Sequence, residues 1–288
     1  METAPSRIGE RVFLRLLAAA AALSTAAVLS LLLFLGWFCL PLAVGGNLGN
    51  VFSWDWQPFQ GAYGILPMVA GSLLLSGIAM SISFPAALAI CCFVHGLGPP
   101  RPARWVLAIV HLMTGIPTIL YAFVSAMLLV PLMRQVFGGS GYSLLTAALV
   151  LSVLILPTLV LLIHSAWLGA APRVRMTCAA LGLTRAQELF RVLVPVTRRA
   201  LLGAGLLGFG RAIGDTMVAL LLSGNAAQLP GSPFESMRAL TAHVALVLAT
   251  DSQDSAYASV FAAGLILLLM TAAFSMAARG LRSHGTRA

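Results

Sequence analysis

The sequence predicts an all-α membrane protein that crosses the bilayer six times with both termini in the cytoplasm. Three observations carry this. Of the 288 residues, 60% are hydrophobic and only 9% charged, whereas a soluble domain carries about 25% charged residues. The apolar runs are continuous and long enough to cross about 30 Å of hydrocarbon as helices. They lack the alternation of a β-barrel strand. The arginines cluster at the ends of these runs and fall mostly on one side of the membrane.

Taken in order, the first helix is expected near 16–41, after Arg7, Arg11 and Arg15. The apolar run from Leu16 to Val44 far exceeds the about 7–15 residues of a signal-peptide core, so it reads as an uncleaved span. The second, near 65–94, holds Pro67 and Pro85, which predict a tilt, a kink or an interfacial start. The third and fourth, near 105–132 and 143–168, contain Pro117 and Pro157, each of which removes one backbone donor and kinks its helix. The fifth is expected near 200–224 and the sixth near 257–278. The chain thus divides into a tail over 1–15, a six-helix domain over 16–278 with a cytoplasmic loop over 169–199, and a tail over 279–288.

Fourteen arginines lie in the two tails, the second-to-third loop and the 169–199 loop, against only Arg134 and Arg238 in the opposite loops. That asymmetry puts the termini inside. The outer loops hold Asp55, Glu235, Asp251 and Asp254, with Trp54 and Trp56 suited to an interfacial belt.

Several function classes drop out. The net charge of +9 comes from dispersed arginines at span ends, so it marks topology and no nucleic-acid surface. Cys39, Cys91, Cys92 and Cys178 have neither disulfide nor metal spacing. Five histidines, His95, His111, His164, His243 and His284, form no H-E-x-x-H. His111 and His164 are expected to bond between helices. No G-x-x-x-x-G-K-[ST] occurs, so any ATP hydrolysis falls to another chain, and no cofactor is expected on this one.

Arg211 and Asp215 interrupt the apolar run from Leu201 to Leu222. A charge at the bilayer centre costs roughly 2.5–3.5 kcal/mol, so it must face the protein interior or a watery path. Their spacing puts both on one face of a continuous helix. A guanidinium there suits an oxyanion, with Asp215 tethering the fork or accepting a hydrogen bond from a protonated oxygen of the ligand. A buried ion pair that merely locks helices is the plainer alternative. Thr216 could add a hydroxyl about 100° round the helix. Tyr121 lies in the third span, where packing is the plainer role.

The 169–199 loop is structured. Thr184 with Gln187 fits a capping box that starts a helix at Arg185. Ala186, Leu189, Phe190, Leu193 and Val194 make an amphipathic stripe that ends near Pro195. Met176 to Leu181 is expected as a second short helix, broken at Gly182. Such a pair can dock into a groove on a cytoplasmic partner or lie on the membrane surface; the pattern alone does not separate the two.

The segment A-A-L-G-L-T-R-A-Q-E-L-F-R-V-L-V-P, Ala179 to Pro195, resembles the EAA loop of bacterial ABC-importer permeases, E-A-A-x3-G-x9-I-x-L-P. Counting from Gly182 puts Val192, Val194 and Pro195 at the Ile, Leu and Pro positions, but Met176 at the Glu and Thr177 and Cys178 at the alanines. Downstream, G-F-G-R-A-I-G-D-T-M-V-A-L-L-L-S-G-N from Gly208 to Asn225 is similar to the G-R-A-x-G-E-T of phosphate-specific transport (Pst) permeases. F-E-S-M-R-A-L-T from Phe234 to Thr241 favours their C-type subunit. G-I-P-T-I-L-Y-A at Gly115 to Ala122 resembles that subunit's G-I-P-S-x-x-Y-G. The likeness spans about 65–278, with Asp215 for Glu and Ala122 for Gly as further departures.

The resemblance implies a type I, MetI-like permease fold in the bacterial cytoplasmic membrane and a non-catalytic subunit that imports inorganic phosphate. It implies a second permease subunit, a dimer of ATP-binding subunits using Mg-ATP, an extracytoplasmic phosphate-binding protein and membrane lipid as partners. It carries Arg211 and Asp215, with Thr216 beside them, to the anion pathway. It carries Ala179, Ala180, Gly182, Leu189, Phe190 and Pro195 to the ATPase contact. Sulfate, molybdate or tungstate as cargo, or a secondary anion transporter, remain the alternatives; the last would need no docking loop.

Overall fold

A computed structural model of the chain describes residues 7–44, 48–250 and 254–283. The tail positions 1–6, His284 and Arg287, and the loop residue Asp251, lie outside the described residues. Among the described residues, six helices are long and apolar enough to cross a membrane.

The first span, α1 (Arg7–Val44), packs on the last, α9 (Asp254–Ser283). Phe38 stacks on Phe261 at 4.6 Å between ring centroids. Between Val12 and Leu40 most of the other side chains of α1 are apolar and exposed, as a lipid-facing helix requires. A short antiparallel hairpin, β1 (Trp56–Gln57) with β2 (Ala62–Tyr63), follows. Trp54 is exposed, whereas the ring of Trp56 packs edge-on against buried His243 at 4.4 Å.

α2 (Leu66–Cys92) runs on as a π-turn over Phe93–Leu97. Pro67 sits in its first turn, where no donor is missed. The third expected span is not one helix. It is broken into α3 (Pro100–Thr114) and α4 (Thr118–Phe137). Pro117 drives Ile116 out of the helical region and leaves the carbonyl of Met113 without its usual donor. The hydroxyl of Tyr121 donates to that carbonyl at 3.1 Å.

α5 (Leu144–Ala180) is the axis of the core. Leu151, Ile155, Leu159, Val160, Ile163 and Trp167 are fully buried on it, between α2 and α6. It continues well past 168 and absorbs the short helix expected over Met176–Leu181; Pro157 and Pro172 lie inside it without ending it. Gly182 then stops the helix at φ 67°. Leu183 N–H donates to Cys178 O and Gly182 N–H to Ala179 O, the Schellman pattern.

The capping box forms as the spacing predicts, with Gln187 N–H on Thr184 Oγ1 at 3.3 Å and Thr184 N–H on Gln187 Oε1 at 2.9 Å. The helix it starts does not end at Pro195. It widens to π-winding over Glu188–Leu193 and resumes as α-helix with Pro195 in the new first turn, where a missing donor is tolerated. The whole of α6 is Arg185–Ile213. Trp167 donates its indole N–H to Thr197 Oγ1 at 2.9 Å, tying α5 to α6.

The fifth expected span is also broken. α6 stops at Ile213, and α7 (Met217–Leu222) follows after Gly214, Asp215 and Thr216. The segment 223–239 folds back across the start of α5, where Leu144 N–H donates to Glu235 O. It leads into α8 (Leu240–Thr250), an apolar helix of 11 residues, too short to span. The N–H of Leu240 donates to Ser72 Oγ at 2.7 Å, which fixes α8 to α2.

Candidate functional site

Both interruptions lie close to one cleft. The break at Gly115–Pro117, the Pro157 turn of α5 and the last turn of α6 converge on a cavity of about 160 Å³. Arg211 is the one charged side chain in its wall; Thr114, Thr118, Tyr121 and Thr158 supply hydroxyls. The first N–H groups of α4 lack intrahelical partners, and this positive end of a 20-residue helix opens onto the same space. Thr114 Oγ1 donates to His111 O at 2.7 Å, which leaves its lone pairs free to accept.

Arg211 is exposed on the surface of the chain, and among the described residues it makes no ion pair. The tether to Asp215 that helical spacing predicts is therefore absent. The helix ends between them. Oδ2 of Asp215 instead accepts the N–H of Val218 at 2.9 Å, because the first donors of α7 have no other partner. Thr241 Oγ1 donates to the backbone carbonyl of Asp215 at 3.0 Å, binding the break to α8. Thr216 stands at the N-cap of α7 and is not in the cleft wall.

Thr114, Thr118 and Thr158 were missed by sequence reasoning. Their signal was adjacency to a proline, since threonine flanks Gly115–Pro117 on both sides and follows Pro157.

On the arginine-rich side, Ala179, Ala180, Gly182, Phe190 and Pro195 are exposed. Beside them Met176, Leu181 and Val196 are 78%, 70% and 64% exposed. Leu189 departs from the expected docking stripe. It is 1% exposed and packs against Gly96, because the π-winding turns it and Leu193 into this chain's own core.

His95 Nε2 and His164 Nδ1 lie 2.9 Å apart, joining the end of α2 to α5. His111 bonds within its own helix, to Leu107 O, not between helices as expected. Among the described residues no group of His, Cys, Asp and Glu could hold a metal ion, and all four cysteines are free.

No family model matches the chain. It is 32% identical over 236 residues to the probable ABC transporter permease protein YqgH of Bacillus subtilis, covering 81% of this chain and 76% of that protein. It is 29% identical over 270 residues to the phosphate transport system permease protein PstC of Pasteurella multocida, covering 85% and 82%. With PstC of Haemophilus influenzae it shares 30% over 210 residues, covering 66% and 67%. A chain from the inward-facing MetNI methionine ABC transporter superposes with a TM-score of 0.57 at 16% identity, over 79% of this chain and 99% of that one.

The likeness to the MetNI chain shows a MetI-like fold, and the relatives, all permease components of transporters, make this chain an ABC transporter permease of the inner membrane, a transport component and not an enzyme. The chain belongs to the phosphate transport system permease family, as a C-type (PstC) subunit.

The cap role of Asp215 has a direct test. Asn caps as well as Asp, whereas loss of a cap costs about 0.5–2 kcal/mol. Asp215→Asn is expected to keep wild-type membrane abundance and thermal stability in detergent, and Asp215→Ala to lower both. Equal loss in the two variants would assign the carboxylate's charge, not its cap, the structural role.

Proposed function

We propose that this permease passes inorganic phosphate across the cytoplasmic membrane and that Arg211 is the cationic contact of the pathway. The observation that carries this is the cleft itself: one guanidinium without an ion pair among the described residues, a helix N-terminus and three threonine hydroxyls at the meeting of two broken helices and the Pro157 turn of α5. The guanidinium offers two parallel donors to two phosphate oxygens. The α4 terminus favours the negative charge. Discontinuous helices with their ends turned to an anion are a recurrent transporter device.

Phosphate at neutral pH keeps a proton that sulfate lacks. Threonine hydroxyls both donate and accept, so Thr114, Thr118 and Thr158 can accept a hydrogen bond from that protonated oxygen, whereas Asp215 is not in the cleft wall. A single Arg with neutral partners also binds weakly enough to release its cargo. Asp215 and Thr216 act on the pathway indirectly, by holding the break above Arg211.

The chain works with a second permease subunit, a dimer of ATP-binding subunits that holds Mg-ATP, and an extracytoplasmic phosphate-binding protein. Both termini, including the tails 1–15 and 279–288, face the cytoplasm. The ATPase docks on the exposed surface of Met176, Ala179, Ala180, Gly182, Phe190 and Pro195. That surface is apolar at Met176, where the family has its Glu, and exposed apolar side chains past the membrane-length part of α5, Leu144–Pro172, favour a protein partner.

In the assembled complex, phosphate uptake is expected to withstand excess sulfate, molybdate and tungstate. Arg211→Lys and Arg211→Met should each lower it at least about tenfold at equal membrane abundance, since an ammonium cannot reproduce the fork. Uptake blocked by sulfate would reassign the cargo, and near-normal uptake by Arg211→Met would remove Arg211 from the pathway.

Phe190→Asp puts a charge where docking requires desolvation. Co-purification of the ATPase with this variant is expected to fall while the permease still inserts. Unchanged co-purification would make the segment a membrane-surface helix.

A further inference from the structure

Glu188 is the only acidic residue between 169 and 199, a stretch with six arginines. It is not on the surface. Glu188 is 5% exposed, and its two oxygens are divided between two elements. Oε1 lies 3.5 Å from Arg175 Nε at the end of α5, and Oε2 lies 3.0 Å from Arg185 Nη1 in the first turn of α6. Arg175 then reaches further, donating from Nη2 to the carbonyl of His95 at 3.2 Å, at the π-turn that closes α2. One residue along, Leu189 is buried against Gly96 of that turn. A single carboxylate therefore gathers the docking segment, the end of α5 and the corner between α2 and α3.

Stability does not account for this arrangement. A buried ion pair is often matched or exceeded by apolar residues of the same volume, while its geometry is directional. The two arginines are themselves half exposed, so solvent screening weakens each pair as a source of stability. What a divided, desolvated carboxylate supplies is a fixed relation among the elements that it joins.

We propose that Glu188 is a positioning residue that makes the docking segment, the α5 end and the α2–α3 corner move as one body, so that displacement of the segment by the ATPase is delivered to α3. The far end of α3 is Thr114, in the wall of the anion cleft, next to the Gly115–Pro117 break. The device thus joins the site of ATP-driven force to the site of cargo passage through one short helix. Met176, exposed at the family's acidic position, has no charge for such a role.

This inference rests on the docking reading above. The experiment compares wild type, Glu188→Gln and Arg175→Gln in the complete complex with its ATPase, second permease and binding protein. Three quantities are read: ATPase co-purification, ATP hydrolysis stimulated by the loaded binding protein, and phosphate moved per ATP. Glu188→Gln keeps the side-chain shape and loses the charge. Arg175→Gln cuts the arm to His95 while leaving Arg185 on Glu188. Both variants should assemble and hydrolyse ATP. Phosphate moved per ATP should fall at least about fivefold, the lower end of ordinary coupling energies. An unchanged ratio in both variants overturns the clamp. Failure of both to assemble also overturns it, in favour of a purely structural role. A wild-type complex that never retains the ATPase sinks the docking reading instead, so the two failures are distinguishable.

Discussion

A helix that breaks partway along a membrane protein frees backbone groups, and each must find a partner within the protein or in a cavity that it lines. This permease breaks two helices at the wall of its cleft, and much of its architecture answers that constraint. At the first break, the carbonyl of Met113, which Pro117 cannot serve, accepts the hydroxyl of Tyr121 and the N–H of Ile116. At the second, Asp215 caps one donor of α7, the N–H of Val218, and Thr241 holds the carbonyl of Asp215 itself. These three side chains let backbone ends lie beside a cationic side chain in the membrane without a standing penalty.

The surrounding elements hold the two breaks in register. α5 passes both, with its fully buried face from Leu151 to Trp167 packed on α2 and α6. Gly71 allows α2 to approach the chain at Arg238, whose carbonyl would lie 2.7 Å from any Cβ there. Nearby, Leu240 is tied to Ser72. The returning segment 223–239 and α8 are thus pinned to the same core, and α8 in turn carries Thr241 to the second break. α1 takes no part in this core and packs on α9 alone among the major contacts.

Local signals in the sequence were legible where the deciding bond is local. The capping box of Thr184 and Gln187 and the αL stop at Gly182 need only neighbours within a few residues, and both form. The spans were legible because hydrocarbon imposes length and composition. The breaks were not. The apolar residues on either side of Gly214 and Gly115 read as single spans, so a continuous helix placed Arg211 and Asp215 on one face and made them a pair. Gly115-Ile116-Pro117 held the warning, since a residue before proline leaves the helix more readily than proline merely bends it. The burial of Leu189 was illegible for another reason: α-spacing assigns it to the outer stripe, and a π-turn shifts it inward. The cleft threonines carry no periodicity and become visible only once the breaks are known.

The central claim is that Arg211 faces an aqueous anion cleft and not a dry helix contact. It is tested most directly by the reactivity of a cysteine placed in the wall opposite, Thr158→Cys, in the complete complex in membrane vesicles, with labelling of the native cysteines subtracted. The account predicts that an anionic methanethiosulfonate reagent reacts faster than a cationic one of similar size. It also predicts that phosphate slows that reaction, and that Arg211→Met abolishes both effects. Equal rates for the two reagents, indifferent to phosphate and to Arg211, would contradict it.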